Sequence, residues 1–533
     1  MRKLNVAATS RYGRLAGGAA VLAAGSVLAK IIGAFYRIPL TNILGAEGMG
    51  MYQLVFPVYA LFITLSTAGI PTALSRIVAE HRARGENAKK YLAAALFTLL
   101  SLSALAGILM TALSRLIAGW QGNPEAAGGF LAVAPAVFFV GIVAGLRGWF
   151  QGEMYMLPTA LAGIIEQTVK LGVGVGLAVA LAPRGAAVEG ALIGVTASEF
   201  AAALYLAVTY RVRSRKRGET RASVRLDAEE RKAMFRTAAP IALLGLILPL
   251  GAFADSMVVV NALKWGGEST SSATAMYGLY SGPVTSLVNL PVVVVMSLAI
   301  AVVPSLSVSR SERDVESIMQ KSRMSLKLVY LIGVPCALFF AVFCREMLAV
   351  MYPALSDEEL ATASRLLLIA SLGVPPTAAS QIYVSLLQAL DKTYSAIKSM
   401  FFAIIVKLIL SLALIPSIGV TGAAMAGVVM SVCSLFTLAF AFHRLTGLRI
   451  EKNVAKTMLA GVIMALTALV VRQYVPVPLG ALIAGAVVCA SVYGWLVSLM
   501  GVFTEAEVLS LPFGSRLAAI RRKIRFWEKG YDG

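Results

Sequence analysis

The chain has 533 residues, 58% of them apolar and only 14% charged, with a formal net charge of +20 and a mean hydropathy of +0.80. These values exclude an ordinary soluble domain and an acidic disordered chain. They also argue against nucleic acid as the partner of the positive charge, because Lys and Arg sit in short loops beside apolar segments, where anionic lipid headgroups attract them.

Runs of about 20 apolar residues cross a bilayer as helices, and the chain divides at its turn residues into about fourteen of them. In the first half they fall near 15–40, 51–75, 91–118, 128–150, 158–182 and 186–210. The remainder fall near 236–262, 276–308, 325–350, 362–388, 393–416, 418–442, 454–472 and 478–503. Residues 1–30 resemble a secretory signal, but the apolar character continues past Lys30 to Leu40, which makes this stretch the first transmembrane helix.

Alternate loops are basic. One carries Arg76, Arg82, Arg84, Lys89 and Lys90, and the longest runs from Arg211 to Arg236, whereas the loop after the ninth span reads Asp357-Glu358-Glu359. Because Lys and Arg accumulate on the cytoplasmic side, both termini are expected there. The stretch 515–530 reads as a basic amphipathic helix on the inner leaflet, with Leu517, Ile520, Ile524 and Trp527 on one face.

The two halves carry matching segments in the same order. Residues 150–171 lie over 387–408 without a gap, placing Gln151 on Gln388 and Lys170 on Lys407, and Val188-Glu189-Gly190-Ala191 pairs with Val420-Thr421-Gly422-Ala423. Six spans per repeat is an even number, so the halves enter the membrane the same way round, and transport sites in such duplicated folds lie between them. The predicted fold is all-α: a six-helix bundle at 1–210, a basic linker at 211–235, a second six-helix bundle at 236–446, two extra transmembrane helices at 447–503 and a basic tail at 504–533.

Enzymatic signatures are missing from the sequence: it contains no GxxxxGK[ST], HExxH or GxSxG, and no expected external loop is long enough to carry a catalytic domain. Cys336, Cys344, Cys433 and Cys489 lie in apolar segments without metal-ligand spacing, and His81 and His443 sit at helix ends. We expect neither an enzyme nor a resident cofactor.

Ionisable side chains at membrane depth are costly and mark candidate sites. Lys30 and Arg37 are two helical turns apart and project from one face, a spacing that suits a diphosphate, although Arg37 beside Pro39 could instead snorkel to the interface. Glu166 and Lys170, at i and i+4, are expected to form an ion pair or to serve transport. Arg147 suits an anchor or gate better than a ligand contact. Lys407 has Ala403 where its repeat mate has Glu166, leaving its charge more available. Asp255, within GAFADSMVV, should bind a cation or hold a proton.

Taken together, AKIIGAFYRIPLTNILGAEGMGMYQLVFP (29–57), GIPTALSRIVAE (69–80), NLP (289–291), VPSLS (303–307) and GVTGAAMAG (419–427) resemble the multidrug/oligosaccharidyl-lipid/polysaccharide (MOP) exporter superfamily. Within it, the polysaccharide-biosynthesis branch is most similar, with its stage V sporulation protein B group and lipid II flippases. The resemblance implies a flippase for a polyprenyl-diphosphate-linked saccharide, working by alternating access and coupled to Na⁺, H⁺ or the membrane potential. Lys30, Arg37, Lys170, Lys407 and Arg147 would meet the substrate. Asp255, with Gln381 and Ser385 by analogy, would hold the coupling ion, and the protein would act as a monomer among anionic lipids. Lipid II flippases carry arginines in the first, second and eighth spans; here the second lacks a cation and the eighth has Ser286 and Asn289. A drug:cation antiporter of the same fold is the rival reading.

Overall fold

The computed structural model describes residues 2–67, 69–216, 228–295, 315–447 and 453–502, which form helices and turns with no strand. The amphipathic stretch 515–530, the VPSLS at 303–307 and the centre of the basic linker lie outside them. Among the described residues, twelve helices are long and apolar enough to cross a membrane, and a thirteenth candidate is the pair Asp357–Ser371 and Val374–Ala389, bent by 46°. One of the twelve, Val21–Ala83, is 63 residues long. At 1.5 Å per residue it would reach about 95 Å, far beyond one bilayer. It breaks at Gly45, where φ is 68°, a left-handed conformation that glycine adopts without steric cost. With that segment counted as two crossings and the bent pair as one, the total is the fourteen expected.

The chain forms two compact units. The first comprises Met1–Ser286 and Leu408–Ala423. It contains α1 (Arg2–Thr67), α2 (Ile70–Ala83), α3 (Lys89–Ala112), α4 (Ser114–Trp120), α5 (Ala127–Gly152), α6 (Leu157–Val169), α7 (Val175–Leu181), α8 (Ala187–Lys216), α9 (Ala228–Trp265) and α10 (Thr270–Leu279). A π-helical turn, Lys170–Gly174, joins α6 to α7, and a second, Tyr280–Val284, follows α10. Ile70, Leu74, Leu99, Leu146, Phe150 and Leu206 fill the core.

Although the repeat assigns α9 and α10 to the second half, polar fasteners hold them here. Gln121 Nε2 donates to Leu54 O (2.9 Å) and Ser256 Oγ (2.8 Å), Asn123 Nδ2 donates to Thr274 Oγ1 (3.0 Å), and Lys264 Nζ donates to Gly122 O (2.9 Å). Helices α1 and α10 also touch backbone to backbone: a Cβ on Gly50 would collide with Thr274 O, and one on Gly278 with Ala46 O. Small residues at such crossings give TM helices the close packing that the hydrophobic effect cannot supply in lipid.

The second unit comprises Leu287–Lys407 and Ala424–Gly533. Its helices are α11 (Val315–Val342), α12 (Cys344–Met351), α13 (Asp357–Ser371), α14 (Val374–Ala389), most of α15 (Thr393–Ile418) and α16 (Val420–Thr446), then α17 (Asn453–Tyr474) and α18 (Pro478–Leu499). One core gathers Val329, Ile382, Leu386, Leu438 and Phe442, and another gathers Phe343, Met464, Ala481 and Tyr493. The acidic run at 357–359 forms the first turn of α13 behind a Ser356/Glu359 capping box. There the carboxylates complement the positive end of the helix dipole. Arg472 Nε binds Glu346 Oε1 at 2.6 Å, tying α17 to α12.

Candidate functional site: charged side chains within the spans

Two groups of charged residues lie within the first unit's spans. On α1, Arg37 is half-buried and its Nη1 donates to Ser286 Oγ at 3.1 Å, just beyond the π-helical turn. Ser286 is thus the residue that receives the first-span cation. Tyr36 and Tyr52, both buried, meet hydroxyl to hydroxyl at 3.3 Å beside it. Lys30, two turns earlier, is exposed on the helix surface. Both cations lie on α1, Arg37 engaged with a hydroxyl and Lys30 exposed.

The second group lies between α1, α5, α6 and α8. Arg147 Nη2 binds Glu166 Oε2 at 3.0 Å, while Gln167 Nε2 donates to Glu166 Oε1 at 2.9 Å. The Glu166–Lys170 ion pair expected from i, i+4 spacing is not formed. Lys170 opens the π-helical turn, whose wider winding displaces the usual i+4 geometry, and its ammonium stands 5.8 Å from the Phe56 ring centroid, within cation–π range. Glu166 turns instead to the guanidinium of the facing helix.

Glu199 on α8 is the residue the sequence reading missed. It is 8% exposed, accepts a long 3.5 Å hydrogen bond from the buried Tyr59 hydroxyl, and lies in the electrostatic field of Glu166, Lys170 and Arg147. A carboxylate in the middle of the 186–210 apolar run meets the same criterion that picked out Asp255, so the signal was present.

Asp255 is half-buried on α9, close enough to interact electrostatically with Tyr277 on α10. Gln381 and Ser385 belong to the second unit, on α14, where Ser385 Oγ donates to Gln381 O at 2.9 Å within its own helix. Lys407 is half-buried on α15. Among the described residues, no group of three or more His, Cys, Asp or Glu could hold a metal ion.

A third cluster closes the basic end of the first unit. Glu153, its side chain almost fully buried, accepts from Arg82 Nη1 (2.9 Å) and Arg213 Nε (3.3 Å), and Lys89 Nζ donates to Ser214 Oγ at 2.8 Å. The clasp joins the end of α2, the start of α3, the residue after α5 and the end of α8.

Many apolar crossings, close small-residue contacts and a handful of charges within the spans define a polytopic helical membrane protein. The chain belongs to the polysaccharide biosynthesis protein family, whose model matches residues 15–310, within the MOP superfamily; a MatE model matches residues 240–413. It is 26% identical to stage V sporulation protein B of Bacillus subtilis (strain 168), covering 91% of this chain and 93% of that protein. It is 23% identical to lipid II flippase MurJ of the same organism, covering 86% and 88%. A solved structure of lipid II flippase MurJ in an inward closed conformation superposes with a TM-score of 0.71 over 90% of this chain and 98% of that one, at 14% identity, so the fold is shared.

Proposed function

We propose that the protein translocates a polyprenyl-diphosphate-linked saccharide, lipid II or a related envelope precursor, from the inner to the outer leaflet of a bacterial cytoplasmic membrane. The observation that carries this reading is the α1 cation pair: Arg37 is fixed against Ser286 within the bundle, and Lys30 lies two turns away on the same helix. A guanidinium offers a fork for phosphate oxygens and an ammonium a mobile point charge, both stronger where water is scarce. The name of one relative, lipid II flippase MurJ, supports the same substrate class. Asp255 would hold the coupling cation, Na⁺ or H⁺, and Lys407 would supply a further positive charge.

A drug:cation antiporter is the second reading, favoured by the carboxylates Glu166, Glu199 and Asp255 and by the MatE match. Liposomes containing the protein and a fluorescent polyprenyl-diphosphate sugar separate the two. Flipping should be lost in Lys30→Gln and fall by roughly tenfold or more in Arg37→Gln, the equivalent of one charge-assisted hydrogen bond. Cation efflux that persists in both variants, with no lipid exchange by the wild-type protein, would establish the antiporter instead.

A further inference from the structure

The flippase reading leaves Glu199 of α8 without a task. The residue is buried within a helix long and apolar enough to cross a bilayer. An ionised carboxylate in such a span is costly unless a cation or a strong donor meets it. The charged and titratable groups that face it are Tyr59 from α1, Arg147 from α5, Glu166 from α6 and Lys170 at the opening of the π-helical turn. Helix α7, which also packs on α8, has no titratable residue.

Both neighbouring cations are engaged elsewhere. Arg147 gives Nη2 to Glu166 at 3.0 Å, and Lys170 holds its ammonium 5.8 Å from the Phe56 ring centroid, so among the described residues Glu199 enters no ion pair. Its hydrogen bond from the buried Tyr59 hydroxyl is 3.5 Å long. A hydroxyl donating to an ionised carboxylate closes to about 2.5–2.7 Å. Lys170 ends a flexible four-carbon stem, and opposite full charges in a site poor in water attract strongly enough to close a short gap. A neutral carboxyl accounts for both separations: the weak phenol contact, and an ammonium that rests on an aromatic face while the acid beside it stays unpaired.

We propose that Glu199 is a proton-binding site that sets the position of Lys170. With the proton bound, the ammonium stays over Phe56, as it does in the structure. When the proton leaves to water, the carboxylate draws the ammonium off the ring and into an ion pair, so no full negative charge is left unpaired inside the bundle. The resting seat is preformed: the Phe56 ring is braced by Tyr52 at a centroid separation of 4.8 Å and by Tyr59 at 6.1 Å. Tyr59 thus touches both seats, the ring through its own ring and Glu199 through its hydroxyl. The site is separate from Asp255, which lies on α9, and the inference does not depend on what the protein transports.

The test is infrared difference spectroscopy of the full-length protein in lipid nanodiscs, followed through a pH titration. Wild-type protein should show the carbonyl stretch of a protonated carboxyl, which fades as the pH rises. Glu199→Gln should lack that band, whereas Asp255→Asn and Glu125→Gln, the latter at an exposed position, should retain it. In Lys170→Met the ionised acid has no ammonium to receive it, so the band should persist to a pH higher by about one unit or more. Phe56→Leu removes the resting seat and should shift the fading the other way. A wild-type spectrum that Glu199→Gln leaves unchanged would overturn the proton site. Titrations of Lys170→Met and Phe56→Leu that coincide with wild type would overturn the movement of Lys170. Should Glu199→Gln fail to fold, isotope-labelled glutamate separates the band from that of Asp255, and the opposite shifts in the other two variants decide the matter.

Discussion

The Arg147–Glu166 pair makes the most specific claim about how the first unit is held together. Arg147 has a partly exposed side chain, Glu166 a largely buried one, and their 3.0 Å contact links α5 to α6. Removing one partner from a buried pair costs about 3–5 kcal/mol because the other charge is stranded. Arg147 retains some access to solvent, and Gln167 continues to donate to Glu166, so the expected cost of Arg147→Met or Glu166→Gln is lower, about 1–3 kcal/mol. The double variant leaves no stranded charge and should lie close to the less damaged single. In a double-mutant cycle read by equilibrium unfolding in mixed micelles, this gives a coupling energy of about 1–2 kcal/mol, at the upper end for polar contacts in membrane bundles. A parallel cycle between Glu166 and Lys170 should give less than half of that. Additivity of Arg147 and Glu166 within about 0.3 kcal/mol, or stronger coupling of Glu166 to Lys170, would refute the assigned pairing.

Gly278→Val drives a branched side chain into the Ala46 carbonyl and should abolish a monodisperse peak in size-exclusion chromatography, whereas Gly163→Ala, whose Cβ would sit 3.8 Å from that of Ala29, should elute as wild type. Glu153→Ala leaves Arg82 and Arg213 without their shared carboxylate, so hydrogen exchange across residues 82–90 should accelerate while exchange in α13 stays unchanged. In a background lacking the four native cysteines, Glu358→Cys should react with an impermeant maleimide in intact cells and Glu86→Cys only after permeabilisation. The opposite pattern would invert the topology.

What was legible in the sequence follows from range. Spans are visible because a bilayer demands about 20 consecutive apolar residues, a purely local requirement, and the crossings fall where those runs are. Pairing is not local. The i, i+4 rule sees one helix only, so it assigned Glu166 to Lys170 and could not see Arg147 on the facing helix, nor that winding widens at Lys170. Glu153 meets partners 71 and 60 residues away, a convergence no spacing rule contains. Asp357-Glu358-Glu359 shows the reverse: read as an outward loop, the run begins α13, because the same acids that favour an outer face also favour a helix N-terminus.

The sign of the proposed substrate depends on this rearrangement. From sequence, Arg147 and Lys170 counted as cations offered to a ligand. In the structure Arg147 is bound to Glu166 and Lys170 stands over the Phe56 ring. An anion entering there must separate Arg147 from Glu166 to gain that contact. On α1, by contrast, Arg37 is matched by a hydroxyl rather than an acid. Serine at position 286 leaves the guanidinium's charge in place: a carboxylate there would neutralise Arg37, and a second cation would repel it. If a diphosphate is what this protein carries, Ser286→Asp should suppress transport as strongly as the loss of Arg37 itself, although it adds a favourable ion pair and should not lower stability.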